Sequence, residues 1–226
     1  MNKLNIYSLH KYILTMPTNK ERMANAKHIK ENIFPDINIR YAINSVWDEY
    51  TYENIQKLPW IKTNTWDDLL PHFHNKISEY SCSYEHYRII KEAYLLGYDN
   101  VLILEDDVII EDIDLINEFL EHAPEEFDML KLSYWNGDIK TFNEFPINPN
   151  LYINEKIYWI ESNKMQRYGT LANIYSRSGM KKYLDYQDKN VGLADVWTYE
   201  LNDDKKYIAS IPIINGTTFE SIIKYK

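Results

Sequence analysis

Three acidic residues, Glu105, Asp106 and Asp107, stand in a row directly after the apolar run Val101-Leu102-Ile103-Leu104. A short continuous apolar run is the pattern of a strand buried on both faces. In open α/β sheets, ligands bind beyond the carboxyl ends of the strands. Side chains alternate along a strand, so Glu105 and Asp107 are expected to face the same way. Adjacent carboxylates repel each other, and at the mouth of a core strand they also lose hydration. A divalent cation relieves both problems. Mg2+ or Mn2+ takes oxygen ligands, usually one or two carboxylates completed by substrate phosphates. The chemistry these residues suggest is a metal ion holding a diphosphate. An acidic triplet can also be a solvated loop, and the buried strand in front of it brings the two readings level.

The elements that must position the triplet follow from the pattern on either side. Lys11 to Met16 reads as a strand ended by Pro17. Thr18 to Ile33 reads as a helix, with Thr18 as N-cap and Glu21 at the capping-box spacing. Ile37 to Ile43 reads as a second strand, and Trp47 to His74 as a long loop with one or two short helices. Ser81 and Ser83 are candidate caps of a helix from Tyr84 to Leu96, ended by Gly97. Asp114 to His122 reads as a helix and Phe127 to Leu132 as another buried strand. Thr141 to Trp159 reads as irregular, Ala172 to Tyr175 as a strand and Ser178 to Tyr186 as a helix. Asp195 to Leu201 reads as a further helix, and Ile208 to Ile214 as the last strand. Strands alternate with helices through the first 130 or so residues, the pattern of an α/β domain with a mostly parallel central sheet flanked by helices. The expected organisation is one domain over 1–226, with a regularly alternating part of about 1–133 and a more irregular part of about 134–226.

Composition narrows the function. With 226 residues, 45% hydrophobic and 26% charged, the chain can bury a full core. Against 25 Lys+Arg stand 34 Asp+Glu, a formal net charge of -9, and no basic run exceeds two residues. Such a surface is penalised on a polyphosphate, so nucleic acid is not an expected partner. An anionic small ligand would need help from a metal or from helix N-termini. Cys82 is the one cysteine, which excludes an internal disulfide and suits a reducing compartment. No run approaches the length of a membrane span, and the first 17 residues are broken by His10 and Lys11. The expectation is a cytoplasmic protein of bacterial or viral type, with peripheral membrane contact left open.

A phosphoreceiver-like domain also ends a buried strand in paired acids. It requires a phosphoacceptor Asp after a following strand, and here that place holds Ser133.

The ordered set of motifs resembles glycosyltransferase family 25, the lipooligosaccharide and collagen galactosyltransferase type. Tyr12-Ile13-Leu14 followed by Glu21-Arg22 is similar to its opening strand and Arg-bearing helix start. Ala42-Ile43-Asn44-Ser45 is similar to its Ala-x-x-Gly stretch, with Ser45 in place of Gly. Glu79 to His86 aligns without gaps on its Glu-x-Gly-Cys-x-x-Ser-His, with Ser81 for Gly and Glu85 for Ser. Leu104 to Asp107 matches its Leu-Glu-Asp-Asp. Phe127-Asp128 with Leu132, Gly169-Thr170 with Ser176-Arg177-Ser178-Gly179, Ala194-Asp195, and Pro212 with Ser221-Ile222-Ile223 complete the order.

The resemblance implies a GT-A-like fold, a UDP-sugar donor (UDP-galactose or UDP-glucose), Mn2+ or Mg2+, and transfer with inversion to a glycan or glycoprotein hydroxyl. Lipopolysaccharide or other glycan biosynthesis is the setting it suggests. In-line displacement then needs a Lewis acid on the leaving diphosphate and a carboxylate base for the acceptor hydroxyl. Asp107 is the first metal candidate, with Asp106. Glu105 and Asp106 would hold the ribose or a metal-bound water. His86, in the first turn of its expected helix, Arg22 and Asn44 would line the donor site. Asp195 is the candidate base, at what can equally be a helix N-cap, and Glu161 or Asp138 could replace it. Cys82 reads as a small buried hydrophobe with no His-plus-acid arrangement beside it. His72 and His74 read as solvated. Trp135, Trp159 and Trp197 could stack on an acceptor sugar or belong to the core. Two other readings stay open, a non-catalytic carbohydrate or nucleotide-sugar binding domain of the same fold and a metal-dependent nucleotidyltransferase.

Overall fold

The computed structural model describes residues 3–17, 19–42, 77–133, 153, 158–161, 169–189, 194 and 205–216, with side chains of the second helix from 81 onward. Its strands are β1 (His10–Thr15), β2 (Asn38–Tyr41), β3 (Asn100–Glu105), β4 (Val108–Ile109), β5 (Met129–Lys131), β6 (Trp159–Glu161), β7 (Ala172–Ser176), β8 (Lys206–Ala209) and β9 (Asn215–Gly216). Its helices are α1 (Lys20–Asn32), α2 (Ile77–Leu95), α3 (Ile113–Glu121) and α4 (Arg177–Gln187), after a 3-10 turn at Ile6–Ser8.

Seven strands form one sheet in the order β2-β1-β3-β7-β5-β8-β6. β1, β2, β3, β5 and β8 point one way, and β7 and β6 run against them. The α/β class and mostly parallel central sheet expected from the sequence are what the structure shows. Strands β7 and β8, later in the sequence than β5, flank it on either side.

The sheet carries a core on each face, and the period of two along its strands decides which side chain goes where. Leu102, Leu104, Leu130 and Ile174 pack with Ala26 and Ile29 of α1 and with Ile116, Phe119 and Leu120 of α3. Val101, Ile103, Met129 and Tyr175 pack with Tyr87, Ile90 and Ala93 of α2 and with Met180 and Tyr183 of α4. The run Val101–Leu104 is apolar throughout because it is completely buried between these two layers.

Several boundaries differ from the sequence expectation, each for a local reason. The N-cap of α1 is Asn19, whose side chain accepts from the N–H groups of Glu21 and Arg22. Helix α2 opens at Ile77, so Ser81 and Ser83 are buried interior residues and not caps. Serine favours caps but does not forbid a helix interior. Gly97 ends α2 as expected. Its φ of 80° lets Tyr98 N–H reach Ala93 O and Gly97 N–H reach Tyr94 O, a Schellman closure. The expected last strand over 208–214 begins earlier and is split into β8 and β9. Trp159, placed by sequence in an irregular stretch or stacked on a sugar, sits in β6. It is fully buried, edge-on to Phe119, with its indole N–H on Phe119 O at 3.0 Å.

Candidate functional site

The acidic triplet lies where the chain leaves the main sheet. β3 ends at Glu105, Asp106 and Asp107 form a two-residue turn, and β4 carries on into a separate two-stranded pairing with β9. Asn25 of α1 pins this turn by donating to the carbonyls of Asp106 and Val108 at 2.9 and 2.8 Å. Alternation along β3 continues into the acids. Glu105 falls on the α2 side with Val101 and Ile103, and Asp106 on the α1 side with Leu102 and Leu104.

Asp106 is spent on the fold. Its Oδ1 accepts from Arg22 at 2.9 Å and its Oδ2 from the Met16 N–H at 3.0 Å. This ties the end of β1 and the start of α1 to the end of β3. Its side chain is 3% exposed. Burial pushes its carboxyl above the usual range, although Arg22 and the Met16 N–H pull the other way. Both oxygens of this expected metal ligand are therefore engaged.

Asp107 is different. Arg22, 9% exposed, forks across to it, with its second terminal nitrogen 2.9 Å from Asp107 Oδ2. The other oxygen, Asp107 Oδ1, is buried and has no hydrogen-bond partner among the described residues. Burial first, and then the charges of Glu105 and Asp106, push its carboxyl up to about 7 despite Arg22. Arg22 thus holds two of the three acids, a role the sequence did not suggest for it.

Glu105 faces a cluster from two other elements. His86 Nε2 is 3.3 Å from Glu105 Oε1, Cys82 Sγ is 3.8 Å from the same oxygen, and Thr170 donates its hydroxyl to it. Burial pushes the Glu105 carboxyl up, but the bonds and charge of His86, together with Thr170 and Arg22, hold it below the usual carboxylate range. The Glu105 carboxyl is thus held low and the Asp107 carboxyl high, the divergence typical of functional carboxylates.

The sequence expectations fare unevenly here. Glu105, Asp106, Asp107, Arg22 and His86 come together, as expected. His86, however, lies in the middle of α2 and not in its first turn, so no helix terminus acts on it. It is fully buried, held by packing and by Glu105. Cys82 does have a histidine and an acid beside it, contrary to expectation. Its i, i+4 spacing from His86 was the available signal, because such residues share one face of a helix. Thr170 and Asn25 were missed as site residues, since both act through pairings across the fold that no local spacing reveals. Glu161, the alternative base, lies on β6, four strands from β3 in the sheet order and paired with Tyr207 near the start of β8. That is the opposite end of the sheet from Glu105, so the structure removes it. Asp195, Asn44, Asp138, His72, His74, Trp135 and Trp197 lie outside the described residues.

Two grooves open elsewhere. One of about 590 Å³ runs between β2 and α2, past Arg40, Glu85 and Arg88. One of about 950 Å³ lies at the far end of the sheet, past Asp128, Arg177 and Lys182. Neither is lined by the triplet. Among the described residues, no helix is long and apolar enough to cross a membrane.

The sequence matches no family model and no curated protein. Among solved structures, the chain is similar to A197 from STIV at 12% identity and a TM-score of 0.44, covering 91% of this chain and 83% of that one. It is also similar to mannose-1-phosphate geranyltransferase from Thermus thermophilus at 12% identity and a TM-score of 0.40, covering 88% of this chain and 73% of that one.

Proposed function

We propose that this protein is a metal-dependent glycosyltransferase. In this reading it moves a hexose from a UDP-sugar, UDP-galactose or UDP-glucose, to a hydroxyl of a glycan or glycoprotein, with inversion. The observation that carries the reading is Asp107. It is a buried carboxylate at the mouth of a core strand, with one oxygen on Arg22 and the other without a partner among the described residues. A divalent cation suits that oxygen, because Mg2+ and Mn2+ bind through one or two carboxylates and complete their shells with water and phosphate. When bound, the ion supplies a Lewis acid for the departing diphosphate.

The chain's own residues do the rest. Arg22 and Asp106 fix the turn, so that Asp107 is aimed by a rigid clamp. Glu105, held ionised by His86 and Thr170, is suited to accept from the ribose hydroxyls. Asn44 is proposed to line the same donor pocket. Asp195 is proposed as the base. It takes the acceptor hydroxyl proton while the new bond to the anomeric carbon forms and the bond to the diphosphate oxygen breaks. The GT-A-like assignment belongs to this proposal, and the reversed β7 beside the acid-bearing β3 is compatible with it.

The test is UDP release from a panel of UDP-sugars with Mn2+, with EDTA and Asp107→Ala as controls. Release from one donor, lost in both controls, supports the reading and names the sugar. Asp195→Asn should abolish release yet keep donor binding. Release of pyrophosphate in place of UDP would move the protein to the nucleotidyltransferases. Donor binding that Asp195→Asn leaves intact, with no turnover on any acceptor, would make it a binding domain.

A further inference from the structure

The cluster around Glu105 adds a thiol and an imidazole to the carboxylate, a donor set that the transferase reading does not use as a metal site. Cys82 and His86 project from one face of α2, four residues apart, and Glu105 meets them from the end of β3. Their ligand atoms all lie within 4.8 Å of one another. We propose that Cys82, His86 and Glu105 form a binding site for zinc, separate from the oxygen-donor site at Asp107.

The geometry is close to what zinc requires. Tetrahedral ligands at about 2.0–2.1 Å for N and O and about 2.3 Å for S stand about 3.3–3.5 Å from one another. Here the N···O edge is 3.3 Å, the S···O edge is 3.8 Å, and the S···N edge lies within 4.8 Å. Thiolate and imidazole are the softer ligands that select zinc over magnesium or manganese, whereas Asp107 offers oxygen alone. Three protein ligands leave a fourth position open. The Cys82 thiol gives its proton to solvent on binding. His86 Nδ1 is buried without a hydrogen-bond partner among the described residues, so none of these prevents the tautomer that presents the Nε2 lone pair. A site without that outer partner is weaker by about 10–100-fold than one that has it.

The experiment uses the full chain freed of metal by chelation, with no sugar nucleotide present, and titrates it with Co2+ as a reporter for zinc. The expected result is a near-ultraviolet thiolate-to-cobalt absorption, removed by added Zn2+ and missing from Cys82→Ser. Zn2+ affinity, read by competition with a chromophoric chelator, should fall in both Cys82→Ser and His86→Gln by more than the about 10–100-fold cost of an outer-shell change. The wild-type spectrum decides the matter even where a variant misfolds. Absence of the thiolate band in wild type, or equal Zn2+ affinity in Cys82→Ser, overturns the proposal. UDP assays do not bear on either outcome.

Discussion

Without a cation, the fold holds the charge of Asp107 at a loss, and pH can measure that loss. Burial and Glu105 lift its carboxyl from 3.8 to about 7. A group raised in the folded state adds stability that is fully present below its unfolded value and is lost as pH rises through the folded one. For Asp107 the loss runs from about pH 4 to about pH 7. Between about pH 5 and about pH 8 it amounts to about two pH units of proton linkage, or about 2.5 kcal/mol at about 1.4 kcal/mol per unit. Asp107→Asn keeps the shape and an oxygen for Arg22 but carries no charge. Urea unfolding in EDTA should therefore show the gap between variant and wild type changing with pH. From the lower to the higher pH it should move in the variant's favour by about 2.5 kcal/mol. Saturating Mn2+ should restore wild type and leave the variant unmoved. A gap that stays the same at both pH values would refute the reasoning, because Asp107 would then not be a group held near neutrality.

Arg22→Met removes the fork on Asp106 and Asp107, both more than four-fifths buried. Uncompensated buried charges of this kind cost about 3–5 kcal/mol in unfolding experiments at neutral pH. Gly179→Ala puts a Cβ 1.8 Å from the Asp128 carbonyl oxygen, which belongs to the backbone and cannot swing aside. Its unfolding free energy should fall by at least about 3 kcal/mol, read by urea or thermal melts. Burial pushes the Asp128 carboxyl up, but Lys182, Ser178 and the Lys205 N–H together hold it below the usual range. Its stabilising effect is therefore present above pH 3.8 and lost as pH falls toward the lowered value. Asp128→Asn should cost about 1–3 kcal/mol at neutral pH and flatten the acid limb of the stability curve.

What could be read from the sequence was what depends on local pattern. Val101 to Leu104 announced a strand buried on both faces, and the acids after it announced the ligand edge of a sheet. Gly97 marked a helix end because only a left-handed residue closes it cheaply. Ser81 and Ser83 misled, since a serine inside a helix and a serine at its start look alike in sequence. β6 was missed because a strand of three residues is too short to carry a period. The division of labour within the triplet was also hidden. Side-chain alternation sends Asp106 to Arg22 and Met16 and sends Glu105 to His86, but the identity of those partners depends on how β1, α1 and α2 pack. Thr170 reaches Glu105 from just before β7, a meeting set by antiparallel register and by nothing local.

The central claim is that Asp107 completes a nucleotide site through a divalent cation. Calorimetry of UDP binding, run with Mn2+ and again with EDTA on wild type and on Asp107→Asn, tests it most directly. The account predicts binding heat for wild type with Mn2+, and none with EDTA or in the variant. Equal binding with and without the metal, or binding retained in Asp107→Asn, would contradict it.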